Sequence, residues 1–287
     1  MIEVTMLGTA SAVPTLHRGL SSIALRRDGD VFLFDCGEGT QRQMMRFGVS
    51  YMKIRAIFIS HLHLDHFLGA FGLIETMRLN GRKEKLSIYG PVGSRAVFGK
   101  KDFLEVMEID EKFSIDFGEF SISAFANAHS HSSFGFALQE KEKRRFYEQK
   151  AKSLGISGQM FTQIMQKGEL AVGGKKIRLK DVTYAQQGRK ITYSGDTPPC
   201  AAVAKAAKGA DLLIHEATFA DDRLVEAKKA RHSTASQAAK MAKKAGAKKL
   251  LLTHLSGRYL DTSGLLSEAK KIFESTQVAE DGMKVQV

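Results

Sequence analysis

Ile57-Phe58-Ile59-Ser60-His61-Leu62-His63-Leu64-Asp65-His66 is the stretch whose reading decides the fold. Its apolar start reads as a buried strand, which ends at Ser60 in a run of metal-binding residue types. HxHxDH puts three imidazoles and a carboxylate within six residues, separated by Leu62 and Leu64. Imidazole nitrogen and carboxylate oxygen suit zinc and similar borderline cations. On an extended segment His61 and His63 point the same way and can grip one ion. Asp65 and His66 follow a turn later, placed for a second. Four such residues directly after a buried strand read as a metal site rather than as surface histidines.

Composition bounds what surrounds this site. The chain has 287 residues, 43% hydrophobic and 26% charged, ordinary for a globular protein with one core. No apolar run approaches the roughly 18 to 20 residues that cross a bilayer. The start, Met1 to Gly8, reads as a strand and not as a signal segment. Two cysteines, Cys36 and Cys200, make no disulfide framework, so a reducing cytoplasm is expected. The net charge of +12 points to a polyanionic partner.

Outward from the motif, strands alternate with helices and then with further strands. Helices are expected from near Gln41, over Leu68 to Leu79, Ala96 to Val106 and Ser263 to Phe273. Another follows His232, with Ala235, Ala238, Ala239, Ala242 and Ala245 on one small-residue face and Ser233 or Thr234 as its cap. Two sheets packed together with helices outside account for this order. Asp35, at a strand end, is expected either to orient metal-site groups or to cap a turn. Residues from about 141 to 182 depart from the pattern. They carry many cations, Lys150, Lys152, Lys167, Lys175, Lys176, Arg178 and Lys180 among them. Their apolar residues, notably Phe161, Ile164 and Met165, read as too few for a separate core. A single domain over residues 1–287, with a protruding basic arm at about 141–182, is the expectation.

One event recurs along the chain: a strand ending in a ligand-type residue, at His61, His129, Asp196, Glu216 and His254. Open sheets gather their chemistry at one set of strand ends. With HxHxDH these supply seven ligands, enough for two metals sharing Asp196, and leave His232 and Glu216 as an acid–base pair without a metal.

This arrangement resembles the metallo-β-lactamase superfamily and, more narrowly, the ribonuclease Z family of precursor-tRNA 3′-processing enzymes. The resemblance runs through Gly8-Thr9, Phe34-Asp35-Cys36-Gly37-Glu38, Ser60 to His66, Phe134-Gly135-Phe136, Tyr193 to Thr197 and His215 to Phe219. His232-Ser233-Thr234 and Thr253-His254-Leu255-Ser256-Gly257-Arg258-Tyr259 are its most specific parts. It implies an α/β fold, the four-layer αββα sandwich, and a homodimer whose arm reaches substrate on the partner. By resemblance His61, His63 and His129 hold one zinc, Asp65, His66 and His254 the second, and Asp196 bridges them. Manganese or another divalent metal would suit the same ligands. His131 competes with His129, and the spacing to the aromatic-Gly-aromatic signal selects His129.

The expected reaction is hydrolysis of the phosphodiester at the 3′ end of precursor tRNA, with Asp65, His232 and Glu216 as catalytic groups. Ser233, Thr234, Arg258 and Lys167 are expected to contact substrate. Backbone N–H groups opening the helix after His232 would add anion affinity. Two other readings stay open: a same-fold phosphodiesterase or esterase for a small substrate, and a non-catalytic RNA-binding protein. One departure stands out. Leu154 to Thr162 lacks the proline of the family's Gly-Pro-rich arm turn, although Lys167-Gly168-Glu169 matches.

Overall fold

A computed structural model describes all 287 residues. They divide into two compact units, residues 1–139 with 190–287, and residues 140–189. No helix is long and apolar enough to cross a membrane.

The first unit holds two seven-stranded sheets. In the first sheet Asp30–Phe34, Ile54–Phe58, Leu86–Gly90 and Leu104–Glu108 run parallel, and Ile2–Gly8 and Ser22–Arg27 add antiparallel. In the second, Lys190–Tyr193, Leu212–Glu216, Leu250–Thr253 and Thr276–Val278 run parallel. Side chains alternate between the faces of a strand, and the two faces have different partners here. Phe32 and Phe34 point between the sheets, into a core with Phe58, Phe136, Leu138 and Tyr193. Leu33 and Ile57 point outward, against Met44, Leu73, Ile74 and Met77 of the helices Thr40–Arg46 and Gly69–Leu79. On the second sheet's outer face Leu213, Leu250 and Leu252 meet Val203, Ala238, Ala239, Ala242 and Leu265. The layers are therefore helix, sheet, sheet, helix, and the alanine face of Ala235–Ala245 is buried as its spacing predicts. Thr234, not Ser233, caps that helix, in a capping box closed by Gln237.

The segment from Ala96 to Val106 is not one helix. A short helix, Ser94–Phe98, stops at Gly99, whose φ of +64° suits glycine, and Leu104–Glu108 pairs as an edge strand.

Residues 140–189 correct the expectation that their apolar residues are too few for a separate core. Ala151, Ile156, Ile164, Ile177, Leu179 and Val182 are buried together, with Phe146, Met160, Phe161, Leu170 and Val172 packed against them. Two hairpin-like pairs frame this core: Lys143–Phe146 with Thr183–Gln186, and Glu169–Val172 with Lys175–Arg178 across the positive-φ pair Gly173-Gly174. Helices Glu148–Ser153 and Met160–Lys167 complete the unit.

Candidate metal centre

Strand ends bring the ligand types together. Ile54–Phe58 runs through Ile59 and Ser60 into His61 and His63, and the one-turn helix Leu64–Phe67 carries Asp65 and His66. Phe120–Ala126 leads to His129, Lys190–Tyr193 to Asp196, and Leu250–Thr253 to His254, while Glu216 ends Leu212–Glu216. His63 Nδ1 lies 2.9 Å from His61 Nε2 and 3.3 Å from His129 Nε2. Asp65 Oδ2 lies 3.3 Å from His66 Nε2 and 3.4 Å from His254 Nε2. Between these groups, Asp196 Oδ2 stands 3.7, 3.2, 4.0 and 3.3 Å from the Nε2 atoms of His61, His66, His129 and His254. A shared ligand needs that central position. His131 is exposed and stands outside the cluster.

The cluster fits divalent cations. Asp196 Oδ1 is buried with no hydrogen-bond partner, which costs about 1–3 kcal/mol unless something binds there, and the buried His66 Nε2 faces the Asp65 and Asp196 carboxylates. Burial acts to raise the Asp196 carboxyl, but His254, His66 and His61 outweigh it and hold it well below the usual range. Asp65 is likewise held down by His254 and His66 against its burial. Burial pushes His61 well below the usual imidazole range, reinforced by His66, and lowers His129 too. Ionised carboxylates and neutral imidazoles are the forms that bind metal. His66 goes the other way, because Asp196 and Asp35 overcome its burial and raise it well above normal. The same negative field attracts a cation.

A buried network aims these rings. Asp35 Oδ2 is 2.8 Å from His66 Nδ1 and accepts from Tyr193 Oη at 2.8 Å, while Oδ1 accepts from Ser60 N at 2.7 Å. Asp35 thus orients a ring of the cluster, the first of its two expected roles. Tyr193 is in turn fixed by the aromatic core, stacked 6.0 Å from Phe34. His129 Nδ1 donates to Arg231 O at 3.0 Å, which turns its Nε2 toward the cluster. His254 Nδ1 lies 2.9 Å from Thr218 Oγ1, which donates to Glu216 Oε2 at 2.8 Å. Asp35, Arg231 and His254 have φ of 58°, 56° and 57°. Left-handed backbone at non-glycine residues costs of order 1–3 kcal/mol each, and three of the four such residues stand at the site, the fourth being Asp28 in a hairpin turn.

His232 and Glu216 form the expected pair, with Nδ1 and Oε1 2.8 Å apart. Glu216 is fully buried and also accepts from Thr197 N and Thr218 N. Burial lowers His232, yet the Glu216 carboxylate outweighs it and pushes the imidazole up to about 9. His232 lines a cavity of ≈ 410 Å³ together with His63, Asp65, His129, Asp196 and His254. Arg258 lines it as well, with its guanidinium 5.3 Å over the Phe219 ring.

Ser233 and Thr234 require correction. Both are 0% exposed, Ser233 Oγ donates to Thr197 O, and Thr234 Oγ1 donates to Asp221 Oδ1. Their side chains hold the loop together, and neither lines the cavity described above. Three N–H groups of the helix start are engaged: Thr234 N donates to Gln237 Oε1, Ala235 N to Phe219 O and Gln237 N to Thr234 Oγ1. Lys167 is exposed at the end of Met160–Lys167 in the second unit. Sequence reasoning missed Ser60, Tyr193, Thr218 and the Arg231 carbonyl. It also missed Ser11 and Ser256 in the cavity wall. Tyr193 and Thr218 lay inside quoted motifs, three residues before Asp196 and two after Glu216.

Fold and site together define a metal-dependent hydrolase of the metallo-β-lactamase superfamily. A family profile described as "Beta-lactamase superfamily domain" matches residues 175–255, and one described as "Anti-Pycsar protein Apyc1" matches residues 2–98. Ribonuclease Z of Methanosarcina acetivorans is 42% identical over 100% of this chain and 98% of its own. That of Methanothermobacter thermautotrophicus is 43% identical over 100% and 97%. The crystal structure of human tRNase Z, short form, superposes with a TM-score of 0.71 at 31% identity, covering 99% of each chain. The chain belongs to the ribonuclease Z family.

Proposed function

We propose that the protein hydrolyses the phosphodiester at the 3′ end of precursor tRNA, leaving a 3′-hydroxyl on the tRNA and a 5′-phosphate on the trailer. The observation that carries this reading is the His232–Glu216 pair, whose imidazole lines the same cavity as five residues of the seven-residue cluster on a ribonuclease Z chain. His61, His63 and His129 would hold one zinc ion, Asp65, His66 and His254 another, with Asp196 shared. Zinc or a similar divalent metal bound there supplies an activated water and neutralises charge on the attacked phosphate.

The chain's own groups do the rest. Asp65 is kept ionised beside the cluster and accepts the proton of the attacking water. Glu216 occupies His232 Nδ1, which leaves Nε2 to donate a proton to the departing ribose 3′ oxygen. Arg258 and Ser11, in the cavity wall, contact the phosphate. Lys167 and the other cations of residues 140–189 contact the tRNA backbone, so this unit is the substrate-binding arm of a single catalytic domain. Cys36 and Cys200 are both free, which suits a reducing cytoplasm.

A homodimer belongs to the same reading. Leu64, within the metal motif, and Leu68 and Phe71 after it are exposed at helical spacing, an apolar stripe that a second copy of the chain would cover. Light scattering of the purified protein at twice the chain mass is the expected result.

The test of the reaction is incubation with a precursor tRNA bearing a 3′ trailer, with both product ends mapped. Cleavage after the acceptor stem with the stated ends is expected. An intact substrate beside a hydrolysed small phosphodiester would contradict the reading.

A further inference from the structure

The pairing of Lys143–Phe146 with Thr183–Gln186 gives the second unit a ribbon with two unlike faces. Arg145 is opposite Tyr184, and Phe146 is opposite Thr183. Because side chains alternate along a strand, Phe146 and Thr183 share the face turned to the unit's own core. Thr183 is buried there, and Phe146 meets Phe161 edge-on at 4.9 Å. The opposite face shows Arg145, Tyr184 and Gln186, and Tyr147 continues it one step past the strand. Arg145 Nε donates to Gln186 Oε1 at 2.9 Å, which ties the cation to this face.

Tyr147 and Tyr184 lie with ring centroids 4.9 Å apart and planes tilted by 38°. They are nevertheless 50% and 41% exposed. Neither belongs to the cluster that holds the unit together. They border a concavity of ≈ 880 Å³ that Lys150 also lines. Glu148 is the acidic residue on its rim, and its carboxylate lies 3.9 Å from Lys152 Nζ. Two half-exposed rings beside Arg145 and Lys150 offer what a flexible nucleic-acid strand accepts: flat faces for bases and cations for phosphates. A duplex keeps its bases stacked inside and has no use for the rings.

We propose that this face of the ribbon is a stacking site for an unpaired base of an RNA strand, with Tyr147 and Tyr184 as the platform and Arg145 on the adjoining phosphate. The proposal rests on the reading of the protein as an RNA-processing enzyme, and adds base contact to the phosphate contact already assigned to the second unit.

Fluorescence anisotropy of the intact protein tests it, with an oligoadenylate of about ten nucleotides and an abasic strand of equal length. The parent should bind oligoadenylate at least about tenfold more tightly than the abasic strand, which is about 1.4 kcal/mol. Tyr147→Ala with Tyr184→Ala should erase that preference, and Tyr147→Phe with Tyr184→Phe should keep it. Tyr147→Leu with Tyr184→Leu retains apolar cover without a flat ring and should behave as the alanine pair, which separates stacking from folding. Preference retained by the leucine pair overturns the proposal, as does equal weakening on both strands. Precursor-tRNA cleavage is measured on the same preparations. A tyrosine-dependent preference without cleavage would contradict the proposed function and leave the stacking site standing; cleavage without the preference would do the reverse.

Discussion

Asp35, Asp196 and Glu216 are all nearly or fully buried in the sandwich, and two of them hold a histidine within 3 Å. In residues 140–189 Thr183 is the one buried polar side chain, and twelve Lys and Arg stand against five Asp and Glu. That gives +7 of the chain's +12 to a unit of 50 residues. A buried charge is costly unless every partner is in place, so the sandwich holds its groups to one geometry. Exposed cations cost little, tolerate substitution, and add affinity for a polyanion that falls with salt. The sandwich suits the placing of atoms, and the charge of the second unit suits the holding of a large anion. Substitutions should therefore be severe and substrate-independent in the first region, and graded and substrate-dependent in the second.

Asp196→Ala should have the largest effect, because it removes the one oxygen close to both ligand groups. Metal content should fall by both ions, and hydrolysis of precursor tRNA and of an aryl phosphodiester should each drop more than about a thousandfold. Elemental analysis with full metal and normal rates would break the comparison at its stronger end. His232→Ala should keep its metal and slow precursor-tRNA cleavage by roughly two to four orders of magnitude. An activated aryl leaving group needs less protonation, so the loss should shrink on that substrate. Equal losses on both would point to a positioning role for His232. Asp35→Asn leaves every ligand in place but loosens the hold on His66 Nδ1, and metal affinity should fall about 10- to 100-fold. A chelator competition titration reads this directly, and an unchanged affinity would remove Asp35 from the account.

What the sequence reveals of this division depends on how local each signal is. HxHxDH is legible because one strand end carries four ligand-type residues within six positions. His129, Asp196 and His254 are legible because each closes an apolar run, and sheet topology brings the ends together. Tyr193 and Ser60 are not, since the contact of Tyr193 with Asp35 spans 158 residues and exists only once the sheets pack. Ser233 and Thr234 are ambiguous in sequence because a hydroxyl that braces a loop or caps a helix and one that binds phosphate share the same chemistry, and only burial separates them. In the second unit, Ile156, Ile177, Leu179 and Val182 come from loops and short elements with no common period. Their joint burial leaves no pattern in the order of residues.

The smallest expected effect tests the division of labour most directly. Gln139 and Lys190 are paired neighbours in one sheet, so residues 140–189 can be replaced by a short turn. KM and kcat of the intact and shortened proteins would then be measured on precursor tRNA and on an aryl phosphodiester, over a range of salt. The KM for precursor tRNA should rise at least about tenfold with a shallower salt dependence, while metal content stays full and small-substrate rates stay within about threefold of the parent, a change under 1 kcal/mol. An unchanged KM for precursor tRNA, or an equal fall on both substrates, would contradict that division.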